Sequence, residues 1–259
     1  MMHKFFHDGQ EMAYKVLGDS ASDIVVIWAH GWGVTHTTLL NLATPFTAQA
    51  CHIMVDFPGF GASPAPASVW APKDYAVFMA HFLRSLPQEK VLWVGHSFGC
   101  RVGVNLAAEN PELVSSLCMI AGAGLPRLRS PAQKLSHFLR VRFYKFLKAC
   151  IPFGISEEWL KSRFGSADYK QAGAMRNILV ATVNEHLTDV ALNVQCPATL
   201  IYGSQDTATP PSMGLQYNQL IPSSKLVVLE GHDHYTVINE GRHQVATHLK
   251  PLIQSLKSL

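Results

Sequence analysis

The tightest constraint on this chain lies in Val94-Gly95-His96-Ser97-Phe98-Gly99. Val91-Leu92-Trp93-Val94 reads as a buried strand, and a helical pattern begins directly after the glycine. Between strand and helix stands G-x-S-x-G, the pattern of a nucleophile held on a sharp turn. In such a turn the serine backbone is strained and its hydroxyl projects free. Side chains two residues to either side would collide, so both positions call for glycine. The serine then sits at a helix N-terminus, where unpaired N–H groups and the helix dipole favour a developing negative charge. A chain with 18 glycines can also produce this pattern by chance in a loop. The strand before it and the helix after it argue against chance.

Partners for Ser97 come in the order such a turn requires, acid before base. The apolar run Ala198-Thr199-Leu200-Ile201-Tyr202 ends in Gly203-Ser204-Gln205-Asp206, and Pro210 and Pro211 stiffen the chain just beyond. An Asp just past a strand end can face an imidazole without being washed by solvent. A further strand, Lys225-Leu226-Val227-Val228-Leu229, leads to Glu230-Gly231-His232-Asp233-His234. His232 and His234 compete for the role of base.

On these residues the chain resembles the α/β-hydrolase family, from about Tyr14 to the C-terminus. Members read strand-G-x-x-D-x-x-x-P for the acid, which Gly203, Asp206 and Pro210 fit without a gap. They read strand-x-G-x-G-H for the base, which puts His234 at the family's histidine and Asp233 where a glycine is usual. The resemblance therefore implies a Ser97, Asp206, His234 triad, with His232 at the surface or behind it. Two more motifs carry the likeness. Asp23-Ile24-Val25-Val26-Ile27-Trp28-Ala29 runs into His30-Gly31-Trp32-Gly33, and in the family this loop supplies one backbone N–H of an oxyanion hole. By that match the donors are the N–H groups of Trp32 and Phe98, and His30 braces the loop. Met54-Val55-Asp56-Phe57-Pro58-Gly59-Phe60-Gly61-Ala62-Ser63 matches the family's strand-D-x-P-G-x-G-x-S turn, where Asp56 caps a structural bend.

Composition narrows the rest. At 259 residues, 48% hydrophobic and 15% charged, the chain is a globular protein able to bury a large core. No apolar run approaches the ~20 residues of a membrane span, and Met1 to Asp8 lacks the apolar core of a signal peptide, so no transmembrane segment and a cytoplasmic location are expected. Cys51, Cys100, Cys118, Cys150 and Cys196 are odd in number and scattered, which favours reduced thiols. Thirteen histidines include no H-E-x-x-H and no cluster at ligand spacing, and no phosphate-binding G-x-x-x-x-G-K-[ST] is present. Neither metal nor cofactor is expected.

Strands are expected near 12–17, 24–29, 51–56, 90–95, 114–121, 198–203 and 225–230, and helices near 36–48, 74–85, 98–109, 212–220 and 240–256. The alternation predicts an α/β fold: a mostly parallel twisted sheet with helices on both faces and an antiparallel edge pair before Asp23. The core is expected over 1–124 and 191–259. From 125 to 190 there is helical periodicity without a strand, at the place of the family's helical cap or lid. This segment holds eleven basic and five acidic residues, whereas the remainder holds ten and thirteen. Arg127 to Lys148 alone contains seven basic residues and no acidic one.

Three readings suit that basic stretch. It solvates a lid whose Phe138, Leu139, Phe143, Phe146 and Leu147 face the core. It steers an anionic substrate or an acidic acyl-carrier protein. Or it touches a membrane surface. Nucleic acid is not expected, since no binding motif accompanies the charge. The triad implies hydrolysis of a carboxylic ester or thioester through an acyl-enzyme, on a small-molecule substrate. A serine at the turn argues against the dehalogenase and epoxide hydrolase branches, which carry Asp there. Trp32, Phe98, Phe138, Arg140, Phe143 and Tyr235 are candidates for the substrate pocket. H-G-W-G and D-x-P-G-F-G are also similar to esterases that demethylate the methyl ester of pimeloyl carrier protein in biotin synthesis. Acyl transfer on the same triad, or a non-catalytic binding module, are the other readings.

Overall fold

A computed structural model describes residues 1–128, 131–149 and 167–258; side chains at 131–134, 137, 140, 144, 148, 149, 167 and 168 lie outside the description. Eight strands form one sheet in the order β1-β2-β4-β3-β5-β6-β7-β8. They are β1 (Met2–His7), β2 (Gln10–Gly18), β3 (Ile24–Ala29), β4 (Cys51–Asp56), β5 (Lys90–His96), β6 (Ser116–Ile120), β7 (Ala198–Gly203) and β8 (Ser224–Leu229). β3 to β8 run parallel, while β1 and β2 add an antiparallel edge. Asp8 and Gly9, both at positive φ, make the tight turn between β1 and β2. β1 is not legible as a separate strand because Met2–His7 lies on the edge and is half exposed, without a clean apolar alternation.

The central strands read as continuous apolar runs because helices cover both their faces. Along β3, Val25 and Ile27 belong to one core and Ile24, Val26 and Trp28 to the other, the alternation a pleated strand imposes. The first core packs under α1 (Pro72–Arg84) and α2 (Phe98–Glu109). The helix expected over 36–48 is instead three short turns across His36–Phe46. Pro45 lacks the N–H that would continue an α-helical ladder.

Between β6 and β7 lie α3 (Pro131–Ala149), α4 (Ala167–Gln171), α5 (Arg176–Asn184) and α6 (Thr188–Ala191). Among the described residues this stretch contains no strand. α7 (Pro211–Leu220) and α8 (Arg242–Lys257) complete the fold, and α8 covers the second core through Val245, Leu249, Ile253 and Leu256. Of the five α3 residues expected to face the core, Leu147 is half-buried and the other four are exposed. Phe138, Leu139, Phe143 and Phe146 are 53–64% exposed, on a helix side that also carries Arg142 and Lys145.

Candidate active site

All the motif residues gather at the C-terminal ends of the parallel strands, where an open α/β sheet leaves a crevice. Ser97 succeeds β5 with φ 50° and ψ −102°, a left-handed strain rarely tolerated by a side-chain-bearing residue. The two glycines make this possible. A Cβ on Gly95 would come within 2.7 Å of the Gly99 carbonyl, and one on Gly99 would strike the Ala29 carbonyl. Backbone cannot yield there, so only glycine lets β5, α2 and β3 approach.

Ser97 Oγ–H donates to His234 Nε2 at 3.0 Å, and His234 Nδ1–H donates to Asp206 Oδ2 at 2.7 Å. Asp206 is almost fully buried, and its Oδ1 accepts the N–H groups of Ala208 (2.7 Å) and Thr209 (2.8 Å). The Thr209 hydroxyl lies 2.7 Å from Asp206 Oδ2 and 3.0 Å from the Ala121 carbonyl, with one proton to give. Burial alone would raise the Asp206 pKa. The bond to His234, its charge and the Thr209 donors outweigh burial and hold the carboxyl below its ordinary value. An ionised carboxylate is thus aimed at the imidazole, fixing the tautomer that leaves Nε2 free to accept.

His232 stands apart from this relay. Its Nε2 bonds Gln244 Oε1 on α8 at 2.8 Å, and its backbone carbonyl accepts the Gln205 N–H at 2.9 Å. The loop of His30-Gly31-Trp32-Gly33 abuts the nucleophile: a Cβ on Gly31 would lie 3.6 Å from Ser97 Cβ. His30 accepts the Phe57 N–H on Nε2 at 3.1 Å, so its protonated Nδ1 donates to the Gly31 carbonyl at 2.7 Å. Burial pushes that imidazole down to about 4, so it braces the loop as a neutral ring. Phe98 opens α2, and its N–H is among the first-turn donors that no helix bond can use. Asp56 is buried and accepts the N–H of His36 at 2.7 Å, the His36 ring at 2.9 Å and the Ala62 N–H at 3.0 Å.

A cleft of about 830 Å³ surrounds Ser97 and His234. Trp32, Phe98 and Tyr235 line it. Phe138 and Phe143 do not; they stand on the exposed side of α3, and the Arg140 side chain lies outside the described residues. Leu125, Leu179, Val183 and Met213 add apolar wall, while Arg101, Thr182 and His186 add polar groups that no motif singles out. Arg101 is visible in the sequence in one respect, as the lone charge in the first turn of its helix. Thr209 is visible only as the last residue of an Asp-x-x-Thr turn. Among the described residues no group of three or more His, Cys, Asp or Glu is placed to hold a metal ion, and no helix is long and apolar enough to cross a membrane.

Residues 25–247 match the sequence profile of the alpha/beta hydrolase family. A pimeloyl-[acyl-carrier protein] methyl ester esterase of Chromobacterium violaceum is 27% identical over 218 residues, covering 78% of this chain and 83% of that one. Among solved structures, a bacterial membrane phospholipase A superposes with a TM-score of 0.77 at 21% identity, over 100% of this chain and 87% of that one. A thermophilic esterase from Thermogutta terrifontis superposes with a TM-score of 0.71 at 19% identity, over 99% of both chains. At such identities the structural likeness speaks for the fold alone.

Proposed function

Because the chain belongs to the alpha/beta hydrolase family, we propose that it is a serine esterase working through an acyl-enzyme. The observation that carries this reading is the unbroken relay from Ser97 through His234 to Asp206, at 3.0 and 2.7 Å. His234 takes the Ser97 proton as the oxygen attacks the ester carbonyl, and Asp206 stabilises the imidazolium that forms. The N–H groups of Trp32 and Phe98 receive the oxyanion. His234 then protonates the leaving alcohol. Water repeats the attack, and the acid is released.

Ser97→Ala is the direct test. The side chain projects from the turn, so the variant is expected to fold with an unchanged melting temperature and lose esterase activity. A fluorophosphonate is expected to label the wild type at Ser97 and nowhere else. Labelling at another residue, or hydrolysis surviving in the variant, sinks the assignment.

A narrower reading concerns the substrate, an ester carried on an acidic acyl-carrier protein such as a pimeloyl carrier methyl ester. The name of the Chromobacterium violaceum relative supports it. So does the charge of the segment between β6 and β7, where Arg142 and Lys145 stand exposed on α3.

A further inference from the structure

The relay accounts for only part of the polar lining of the cleft. Arg101 stands one helical turn after Ser97 on α2 and lines the same space. A guanidinium removed from bulk water needs compensation. Its Nη1–H donates to the Glu185 carbonyl at 2.9 Å. The Glu185 carboxylate acts on Arg101 only through its charge, and its hydrogen bonds are to the Lys73 N–H at 3.2 Å and the Asn105 amide at 3.3 Å. Among the described residues no carboxylate forms an ion pair with Arg101. The other guanidinium nitrogens have no hydrogen bond to a described residue, and Arg101 lines the cleft with donors to spare.

Thr182 supplies a second, independent sign. It lies on α5 in the same cleft wall, is 4% exposed, and its hydroxyl has no hydrogen-bond partner among the described residues. Buried hydroxyls without partners are costly and uncommon, and a ligand oxygen that met one would be favoured. The same cleft has apolar wall from Leu125, Leu179 and Val183, with His186 as a further polar group.

We propose that Arg101 and Thr182 form a second recognition point of the cleft, which takes an oxygen acceptor, a carbonyl or a carboxylate, carried on the substrate's acyl group. The proposal rests on the reading of Ser97 as nucleophile for which part of the substrate lies there. A guanidinium fork and a hydroxyl suit an oxygen with two lone pairs. A plain alkyl chain would leave both unmet, and sites built to hydrogen-bond a substrate discriminate strongly against analogues that lack the group. The substrates that fit are esters whose acyl chain ends in a second carboxyl function, free or itself esterified.

Three methyl esters of matched chain length test this: a methyl alkanoate, a monomethyl dicarboxylate and a dimethyl dicarboxylate. Binding is measured by titration calorimetry on Ser97→Ala protein, so the result does not depend on turnover. Adding Arg101→Met is expected to weaken a dicarboxylate ester roughly tenfold or more relative to the alkanoate. Thr182→Val is expected to move the same ratio by about threefold. Loss confined to the monoester identifies a carboxylate as the acceptor, and equal loss on both dicarboxylate esters identifies a carbonyl. Equal weakening of all three esters would make Arg101 a strut between α2 and the chain after α5, and no weakening would make it a solvated charge. Either result overturns the proposal. Should Arg101→Met fail to fold, Thr182→Val, which keeps shape and adds no charge, still reads the ratio. Turnover persisting in Ser97→Ala would remove the nucleophile reading while leaving the binding ratios to decide the subsite.

Discussion

His232 and His234 are two residues apart, and only their surroundings separate them. His234 bridges Ser97 and Asp206, whereas His232 is tied to Gln244 on the far side of the loop. His234→Ala is therefore expected to lower kcat by a factor of ~10³ or more, and His232→Ala by less than about tenfold. Steady-state kinetics on one small ester measure both; the reverse ranking would place the base at His232. The motif spacing favours His234 from the sequence, since it alone lies far enough past β8. Thr209 is not legible in the same way. Its hydroxyl bridges Asp206 and the Ala121 carbonyl, 88 residues away, and no local pattern records that second partner. His96 carries the same lesson: its Nε2–H donates to the His234 carbonyl at 3.0 Å across 138 residues, which steadies the loop that holds the base.

Elements are legible where local sterics or continuous burial dictate them. β3 to β7 announce themselves as apolar runs, and α2 spans Phe98–Glu109, as its periodicity predicts. The segment His36–Phe46 reads as one helix in the sequence because periodicity does not register a missing N–H at Pro45. α3 is harder still. Its apolar residues repeat at helical spacing, yet the side they form faces solvent with Arg142 and Lys145 among them, and the Arg142 guanidinium sits 5.4 Å from the Phe138 ring centroid. If this basic helix receives an acidic carrier, Arg142→Ala with Lys145→Ala is expected to raise KM for a carrier-linked ester several-fold. KM for a small neutral ester should move far less. The preference should fade as salt rises, since exposed charges are screened over ~10 Å at 0.1 M. Equal losses on the two substrates would instead assign these residues to the shape of the cleft, and no loss would leave them a solvated face.

At the scale of the whole molecule, burial of neutral histidines couples folding to pH. Burial, with the neighbouring His234 charge adding to it at His96, pushes His30 and His96 each down to about 4; a free imidazole titrates near ~6.5. His52, buried between Trp28 and the Phe46 carbonyl, is lowered in the same direction by burial. Between those values the unfolded chain binds protons that the folded chain refuses. Stability is therefore full above about pH 6.5 and falls as pH drops toward about 4. The melting temperature is expected to decline by several degrees between pH 7 and 5, and His96→Gln, which keeps a donor for the His234 carbonyl, to flatten the slope. A flat profile in wild type would show that these rings protonate without unfolding. The same distinction between near and far separates what could be read from what could not. By itself the sequence determined the strand-turn-helix at Ser97, the alternation of strands and helices, and the loops bearing Asp206 and His234, because glycine sterics and apolar runs act between near neighbours. Tertiary structure alone decided that Arg101 and Thr182 share one cleft and that the described aromatic residues Phe138, Phe143 and Phe146 of α3 stand more than half exposed. Periodicity defines a face of a helix, but what covers that face depends on chain distant in sequence.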